Sequence, residues 1–201
     1  TIVTQNESSA VLKHTLDSTE YFVILYWEGK ATFNEKAKHY FVLTPMDDHL
    51  AFTCAFTSTA PSTQPVTVAQ TQEEAKNYWN SFWKEGAAVD FSACTDPRAK
   101  ELERRVILSQ YLLAIQSAGT TPPQETGLTY NSWFGKFHLE MIWWHEAQFA
   151  LWNRSNLLDR TLGWYEKAEP IARQIAQRQG FDGVRWMKMT DPSGTEAPSK
   201  V

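Results

Sequence analysis

A seventeen-residue stretch, 130–146, holds an unusual number of side chains that can bind ligands or transfer protons. It contains two histidines, two glutamates and a lysine among six aromatic rings, and we interpret it as a loop that leads into a helix. A helix N-terminus gathers unpaired N–H groups, so polar ligands bind there readily. His138 and His145 fall on one stripe of the predicted helix, and Glu140 and Trp144 fall on another. This pattern predicts either a polar pocket or a buried helix whose polar side chains pair with other helices.

Two further segments carry side chains suited to a ligand. Arg185, Trp186 and Lys188 follow two glycines in a loop after the last predicted helix. Guanidinium and ammonium groups donate hydrogen bonds to hydroxyls, and an indole covers the apolar face of a sugar ring, so the alternation suits a sugar site. An ordinary helix-exit loop is the alternative. The stiff Pro-Pro-Gln-Glu segment at 122–125 offers polar side chains to a pocket, although a plain loop is the favoured interpretation.

Metal-ligand residue types are present, but their spacing does not favour a metal site. His138, Glu140 and His145 do not form the His-Glu-x-x-His pattern, and His138 and Glu140 would point to different sides of one helix. We therefore predict no metal and no cofactor. Cys54 and Cys94 are too few for a structural zinc site or a disulfide framework, and we expect two buried free thiols rather than a disulfide.

Composition excludes several classes of protein. The 201 residues are 42% hydrophobic, which allows a real core, and the net charge is −4. No basic run suggests nucleic acid, and no apolar run approaches the roughly 20 residues of a membrane span. Nine tryptophans are several-fold above ordinary usage. Aromatic rings fill cores first, and stacking on sugar rings is a second use.

The elements that must position these groups change type along the chain. Residues 1–60 predict β-strands, at 11–16, 21–27, 39–43 and 50–56, separated by turn-like segments. The run at 21–27 is apolar on both faces, which predicts a strand covered from both sides. Residues 61–95 predict a Ser/Thr/Pro-rich linker and a helix.

Helical patterns dominate the remainder, 96–201, and predict an α+β fold. A capping box at Thr71 and Glu74 starts the linker helix, and Asp96-Pro97 starts a second, longest helix of roughly 20 residues. Further helices are predicted at 138–152, 155–168 and 170–180. Consecutive helices joined by short links indicate antiparallel hairpins.

These segments resemble motifs of sugar-cleaving enzymes built on six helical hairpins. Gly-Val-Arg-Trp-Met-Lys-Met at 183–189, followed by Gly194 and Glu196, resembles a pocket-lining segment of the maltose and kojibiose phosphorylase family. His-Leu-Glu-Met-Ile-Trp-Trp at 138–144 lies where those enzymes carry Trp-Asp-Thr-Glu. It is also similar to the Asn-Thr-Glu-Met-Asn-Tyr-Trp-Pro stretch of α-L-fucosidases. Residues 90–196 resemble bacterial six-hairpin glycosidase-like proteins of unassigned substrate.

The resemblance implies the C-terminal part of a β-sandwich over 1–60, a helical linker over 61–95, and the first hairpins of an (α/α)6 barrel over 96–201. The parent would be a secreted or periplasmic bacterial glycoside hydrolase that inverts at the sugar carbon. A glycoside phosphorylase and a non-catalytic carbohydrate-binding or structural protein are the alternatives. The general acid would lie beyond Val201, so this chain alone would be inactive. Expected partners are an oligosaccharide or glycoside, and missing segments of the polypeptide or another copy.

The resemblance also implies which residues bind substrate. These are Trp133, Lys136, His138, Glu140, Trp144, His145, Arg185, Trp186, Lys188 and Glu196. The Asn-x-Asn pair of the fucosidases falls on Lys136 and His138. We predict that Glu140 has a binding or structural role rather than a catalytic one, because neither Glu125 nor Glu146 has motif support as a second catalytic carboxyl.

Overall fold

The chain folds as a mixed α+β protein with antiparallel sheets and, among the residues that the structure describes, four α-helices. The computed structural model describes residues 1–17, 19–61, 65–128, 130 and 132–197. The chain divides into two compact units, Thr1–Asn80 and Ser81–Val201. This agrees with an α+β class in which strands precede helices.

Six strands build the first unit. β1 (Ile2–Gln5), β2 (Ser9–Leu16), β3 (Thr19–Trp27) and β6 (Phe52–Thr57) form one antiparallel sheet in the order β1-β2-β3-β6. β4 (Ala31–Ala37) and β5 (Tyr40–Pro45) form a separate hairpin. The four predicted strands correspond to β2, β3, β5 and β6. The prediction misses β1, which is only four residues long, and β4, whose sequence is mostly polar and exposed.

The core of the first unit lies between the four-stranded sheet and the β4–β5 hairpin. Trp27 is 1% exposed, its ring lies 6.0 Å from that of Phe33, and its Nε1–H donates to the Glu7 carbonyl at 3.0 Å. On β3, Val23 and Trp27 are buried and the other side chains of 21–27 are half-buried. The predicted burial of both faces is therefore seen only in part.

The first helix begins earlier than predicted. α1 spans Val68–Glu85, and its capping box is Thr67 with Gln70 rather than Thr71 with Glu74. The Gln70 N–H donates to Thr67 Oγ1 at 3.2 Å, and the Thr67 N–H donates to Gln70 Oε1 at 3.0 Å. Two Thr-x-x-Gln/Glu patterns overlap here, at Thr67 and at Thr71. The structure uses the earlier one, which adds residues to the N-terminal end of the helix.

The second unit contains α2 (Ala99–Ser117), α3 (Ala147–Leu151), α4 (Ser155–Arg178) and the short antiparallel strands β7 (Phe137–His138) and β8 (Met189–Thr190). A π-helical turn over Ile142–Glu146 leads into α3. The predicted helix at 138–152 is thus wrong at its start, because His138 belongs to a strand. A 3-10 turn, Trp133–Gly135, precedes that strand.

α4 is a single helix of 24 residues and is the longest of the four, not α2. The sequence predicted two helices separated at Pro170, but Pro170 lies inside α4. Proline in a helix interior removes one backbone hydrogen bond, yet α4 continues through Pro170, which lies on the exposed side of the helix. The small side chains Ala168, Ala172 and Ala176 are at most 2% exposed. They allow the 181–197 segment to lie directly on the helix, where the Arg185 N–H donates to the Ala172 carbonyl at 3.1 Å.

Two expectations about single features have clear outcomes. Cys54 and Cys94 are free, as predicted, but both are exposed rather than buried. Within the described ranges, no helix has the length and apolar character needed to cross a membrane.

Candidate functional site

Backbone pairing brings together the three segments that the sequence singled out. β7 pairs with β8, and the Leu139 N–H donates to the Lys188 carbonyl at 2.8 Å. On the other side of β7, Gln124 forms a bridge with Phe137, and the His138 N–H donates to the Pro123 carbonyl at 3.1 Å. The loop at 122–127, β7 and the segment around β8 therefore form one small ladder.

The ladder positions a group that we call the carboxylate–histidine cluster, consisting of Glu125, His138 and Glu140. His138 is 2% exposed, and its Nδ1 lies 2.6 Å from Glu125 Oε2 and 3.9 Å from Glu140 Oε1. The Glu125 contact lacks hydrogen-bond alignment, and neither ring nitrogen of His138 has a hydrogen-bond partner among the described residues. One ligand atom from each of the three residues lies within 4.8 Å of the others, so the cluster could hold a metal ion.

Lys188 and Trp133 border the cluster. Lys188 Nζ lies 3.0 Å from Glu140 Oε1, so a cation and a carboxylate stand side by side where both are about half exposed. The Trp133 ring centroid lies 5.9 Å from that of His138. Trp133 is itself about half exposed, so part of its side chain is accessible to a ligand. These contacts surround the buried histidine with a donor, two acceptors and an aromatic surface.

The backbone that presents Trp133 is strained. Trp133 has φ 52° and Phe134 has φ 61°, a region that residues with a Cβ seldom occupy. Phe134 is 85% exposed, and Lys136 Nζ lies 5.6 Å from its ring centroid. Such strain persists only where surrounding contacts hold the chain, and it is concentrated at functional sites. β7 begins at Phe137, three residues after Phe134, so its backbone pairing restrains the chain close to the strained residues.

A second polar group lies in the interior beyond the π turn. Glu146 is fully buried, and burial raises the pKa of its carboxyl to about 7, an effect that the nearby Thr161 hydroxyl partly opposes. Neither Glu146 oxygen has a hydrogen bond of good geometry to a described residue. Burial, with the charge of Glu146 as a second cause, raises the pKa of Tyr165 to about 12. Burial lowers the pKa of His145, while the Glu125 carboxylate acts in the opposite direction.

The remaining predicted site residues lie elsewhere. Trp144 is exposed on the π turn. The Arg185 guanidinium stacks on the Phe181 ring at 4.3 Å, and Trp186 packs edge-on against Tyr165 with centroids 5.7 Å apart. Glu196 pairs with Arg178, at the C-terminal end of α4. Of the pocket loop, Lys188 is thus the residue with a direct contact to the cluster.

Glu125 and Glu146 are the residues that sequence reasoning left out of the site. Glu125 had a usable signal, because a rigid Pro-Pro pair precedes it in the 122–125 segment. Glu146 had none, because its burial depends on the π turn, which adds a residue to the helical register. A cleft of about 410 Å³ lies along the same ladder and is lined in part by Pro123, Gln124 and Phe137, but Glu125, His138 and Glu140 do not line it.

Comparison with known proteins identifies no relative. No family model, no curated protein and no solved structure matches this chain.

Proposed function

We propose that this chain contributes the sugar-binding surface of a glycoside hydrolase with an (α/α)6 barrel, preceded by part of a β-sandwich. The observation that carries this proposal is the convergence of Glu140, Lys188 and the half-exposed Trp133 around one buried histidine. The resemblance of 138–144 and 183–189 to pocket-lining motifs is a second, independent support.

The chemistry of these groups suits a sugar. Each sugar hydroxyl is both a donor and an acceptor, so a carboxylate and an ammonium 3.0 Å apart can bind neighbouring hydroxyls. An indole face covers the C–H surface of the ring, which is apolar. A mono- or disaccharide unit fits these requirements.

The cluster is better suited to binding than to catalysis. An inverting glycosidase needs two carboxyl groups roughly 6.5–9.5 Å apart, so that a water molecule fits beside the sugar. The cluster oxygens of Glu125 and Glu140 lie within 4.8 Å of each other. Glu140 is also half exposed, and its Oε1 already contacts Lys188 Nζ at 3.0 Å. We therefore assign the general acid to a later hairpin of the parent enzyme, which we place in the periplasm or outside the cell.

The test is direct sugar binding. Saturation-transfer NMR with methyl α- and β-glycosides of glucose, galactose, mannose, xylose and L-fucose identifies a bound sugar, and titration calorimetry then measures its affinity. Glu140→Gln should weaken binding about tenfold or more, since a charged hydrogen bond contributes roughly 1.5–3 kcal/mol. Trp133→Ala should also weaken binding, because it removes the aromatic surface that covers the ring. Glu169→Gln is the matched control, because Glu169 is a similarly exposed carboxylate that pairs with Arg173.

Two outcomes would contradict the proposal. One is the absence of saturation transfer from every glycoside in the panel. The other is binding that Glu140→Gln and Trp133→Ala leave at the level of the Glu169→Gln control, which would place the sugar elsewhere on the chain.

A further inference from the structure

We propose that the carboxylate–histidine cluster binds a divalent transition-metal ion, with zinc preferred over magnesium and calcium. Glu125, His138 and Glu140 each place one ligand atom within 4.8 Å of the other two. The prediction of no metal rested on a helix that would separate His138 from Glu140. That premise is wrong, because His138 lies in β7 and Glu140 in the turn that follows it.

The backbone holds the three ligand residues with little freedom. Glu125 follows Gln124, which bridges to Phe137, and the His138 N–H donates to the Pro123 carbonyl at 3.1 Å. Glu140 follows Leu139, whose N–H donates to the Lys188 carbonyl at 2.8 Å. Each of the three ligand residues therefore either makes one of these backbone contacts itself or lies next to a residue that does. A site assembled in this way loses little conformational entropy when an ion binds.

His138 is the observation that points to a ligand. Its side chain is 3% exposed, and within the described part of the chain neither ring nitrogen makes a hydrogen bond of acceptable geometry. A buried polar group without an aligned hydrogen bond is costly and calls for an explanation. Nδ1 lies 2.6 Å from the nearest Glu125 oxygen and 3.9 Å from the nearest Glu140 oxygen. An ion bound between Nδ1 and the two carboxylates would satisfy this nitrogen.

The ligand types indicate which ion. Imidazole suits zinc, copper, iron and nickel, whereas magnesium and calcium prefer sites made wholly of oxygen. Three protein ligands with an open fourth position are the arrangement of zinc sites that act on a bound molecule. Here the open side is the exposed edge at Glu140 and Lys188. A water molecule or a sugar hydroxyl would take the fourth position.

Lys188 is the natural competitor of the ion. Its Nζ lies 3.0 Å from Glu140 Oε1 and would repel a divalent cation bound to the same carboxylate. Lys188 is about half exposed, so its ammonium can move into solvent when the ion binds. Lys188→Gln should therefore tighten metal binding by about two- to fivefold, the size expected for an exposed charge pair. A purely structural cluster gives no reason for Lys188 to oppose zinc.

The experiment uses metal ions alone, so its result is independent of any sugar. Isothermal titration of the full chain with ZnCl2 should show one site of micromolar affinity, with MgCl2 and CaCl2 at least about a hundredfold weaker. Glu125→Gln and His138→Gln should each weaken zinc binding by at least about 10–100-fold. Replacing a residue that only hydrogen-bonds to a metal ligand already weakens binding by that factor, and these changes remove a ligand itself. His49→Gln removes a histidine outside the cluster and serves as the control.

Glu125→Gln guards against a folding artefact, since Glu125 is about one-third exposed and its replacement nearly isosteric. Circular dichroism confirms that each variant is folded. The proposal is overturned if zinc binds no more tightly than calcium, or if Glu125→Gln leaves the zinc affinity equal to that of the His49→Gln control. Neither outcome would affect the sugar proposal, because Glu140, Lys188 and Trp133 can bind hydroxyls without a metal.

Discussion

Adding a single methyl group at Gly86 should test how the end of α1 is fastened to the rest of the second unit. A Cβ at Gly86 would overlap the guanidinium of Arg154. Arg154 is 4% exposed, and its position is held by donation to the Phe82 carbonyl at 3.0 Å and to Gln110 Oε1 at 2.8 Å. The guanidinium also lies 3.9 Å from the Phe82 ring centroid. The arginine cannot give way to the added methyl group without losing these contacts.

The hydrogen bonds set the magnitude. Each bond from a charged group contributes roughly 1.5–3 kcal/mol, and displacement of the guanidinium weakens the bonds to Phe82 and Gln110 together. Local relaxation recovers part of the loss, and a Gly-to-Ala change returns about 0.4–1 kcal/mol by restricting the unfolded chain. We expect Gly86→Ala to lower the free energy of unfolding by about 2–4 kcal/mol. In an Arg154→Ala background the obstruction is gone, so the same change should cost less than about 0.5 kcal/mol.

The assay is urea unfolding followed by tryptophan fluorescence, since seven of the nine tryptophans lie in the second unit. Gly163→Ala is the matched control, because nothing lies within 4 Å of the added methyl, and it should stabilise α4 by about 0.5–1 kcal/mol. If Gly86→Ala is as harmless as Gly163→Ala, the guanidinium is not fixed. If its cost persists unchanged in the Arg154→Ala background, the clash is not with Arg154.

Two more predictions concern burial and backbone strain. Because burial raises the folded-state pKa of Glu146 to about 7, from 4.5, the folded state holds more protons than the unfolded state between these values, and stability should fall as pH rises through them. Glu146→Gln should therefore be about 3 kcal/mol more stable than wild type at pH 8 and equal to it at pH 4. Urea unfolding at a series of pH values measures this, and the same pH dependence of the unfolding free energy in both proteins would refute it. Gly194→Ala should cost more than Gly183→Ala by about 1–3 kcal/mol in the same assay: both have positive φ, but only at Gly194 would the methyl meet Ala168 Cβ, at 2.8 Å. Equal losses of unfolding free energy in the two variants would show that backbone strain, and not the contact with Ala168, determines the effect.

Local patterns in the sequence predict most of the regular elements. Runs of β-branched and aromatic residues identify β2, β3, β5 and β6. In β2, β3 and β5 these residues contribute to the core, whereas the side chains of β6 are half-buried or exposed. The sequence does not predict β4, because Phe33 is the one buried side chain of this strand and no hydrophobic alternation is visible. Pro170 misleads for the opposite reason. Because proline disfavours a helix interior, the sequence predicts that the helix ends at Pro170. In the structure α4 continues past Pro170, and alanines on both sides of it are buried.

The candidate site is less predictable because its geometry is non-local. The sequence indicates the three segments but places His138 and Glu140 on a helix, which turns them apart. Pairing of β7 with β8 depends on residues about fifty positions away, and no periodicity within 137–138 reveals a two-residue strand. The contact between Glu125 and His138 depends on a further loop, at 122–127. Residue types were therefore easier to predict than their mutual placement.

The departures from local expectation are themselves concentrated in one region. Two successive residues with positive φ, Trp133 and Phe134, precede β7, and a π turn follows it at Ile142–Glu146. Between them lies His138, buried and without an aligned hydrogen bond to any described residue. Each feature costs stability, since strained backbone and unpaired buried polar groups are both unfavourable. A chain that only needed a core could fill this region with an ordinary helix. Features that oppose stability and converge on one exposed edge are expected where a site must be held ready for a ligand. The same region carries the half-exposed indole of Trp133 and two of the three potential metal ligands, His138 and Glu140, and this coincidence is what supports the two binding proposals.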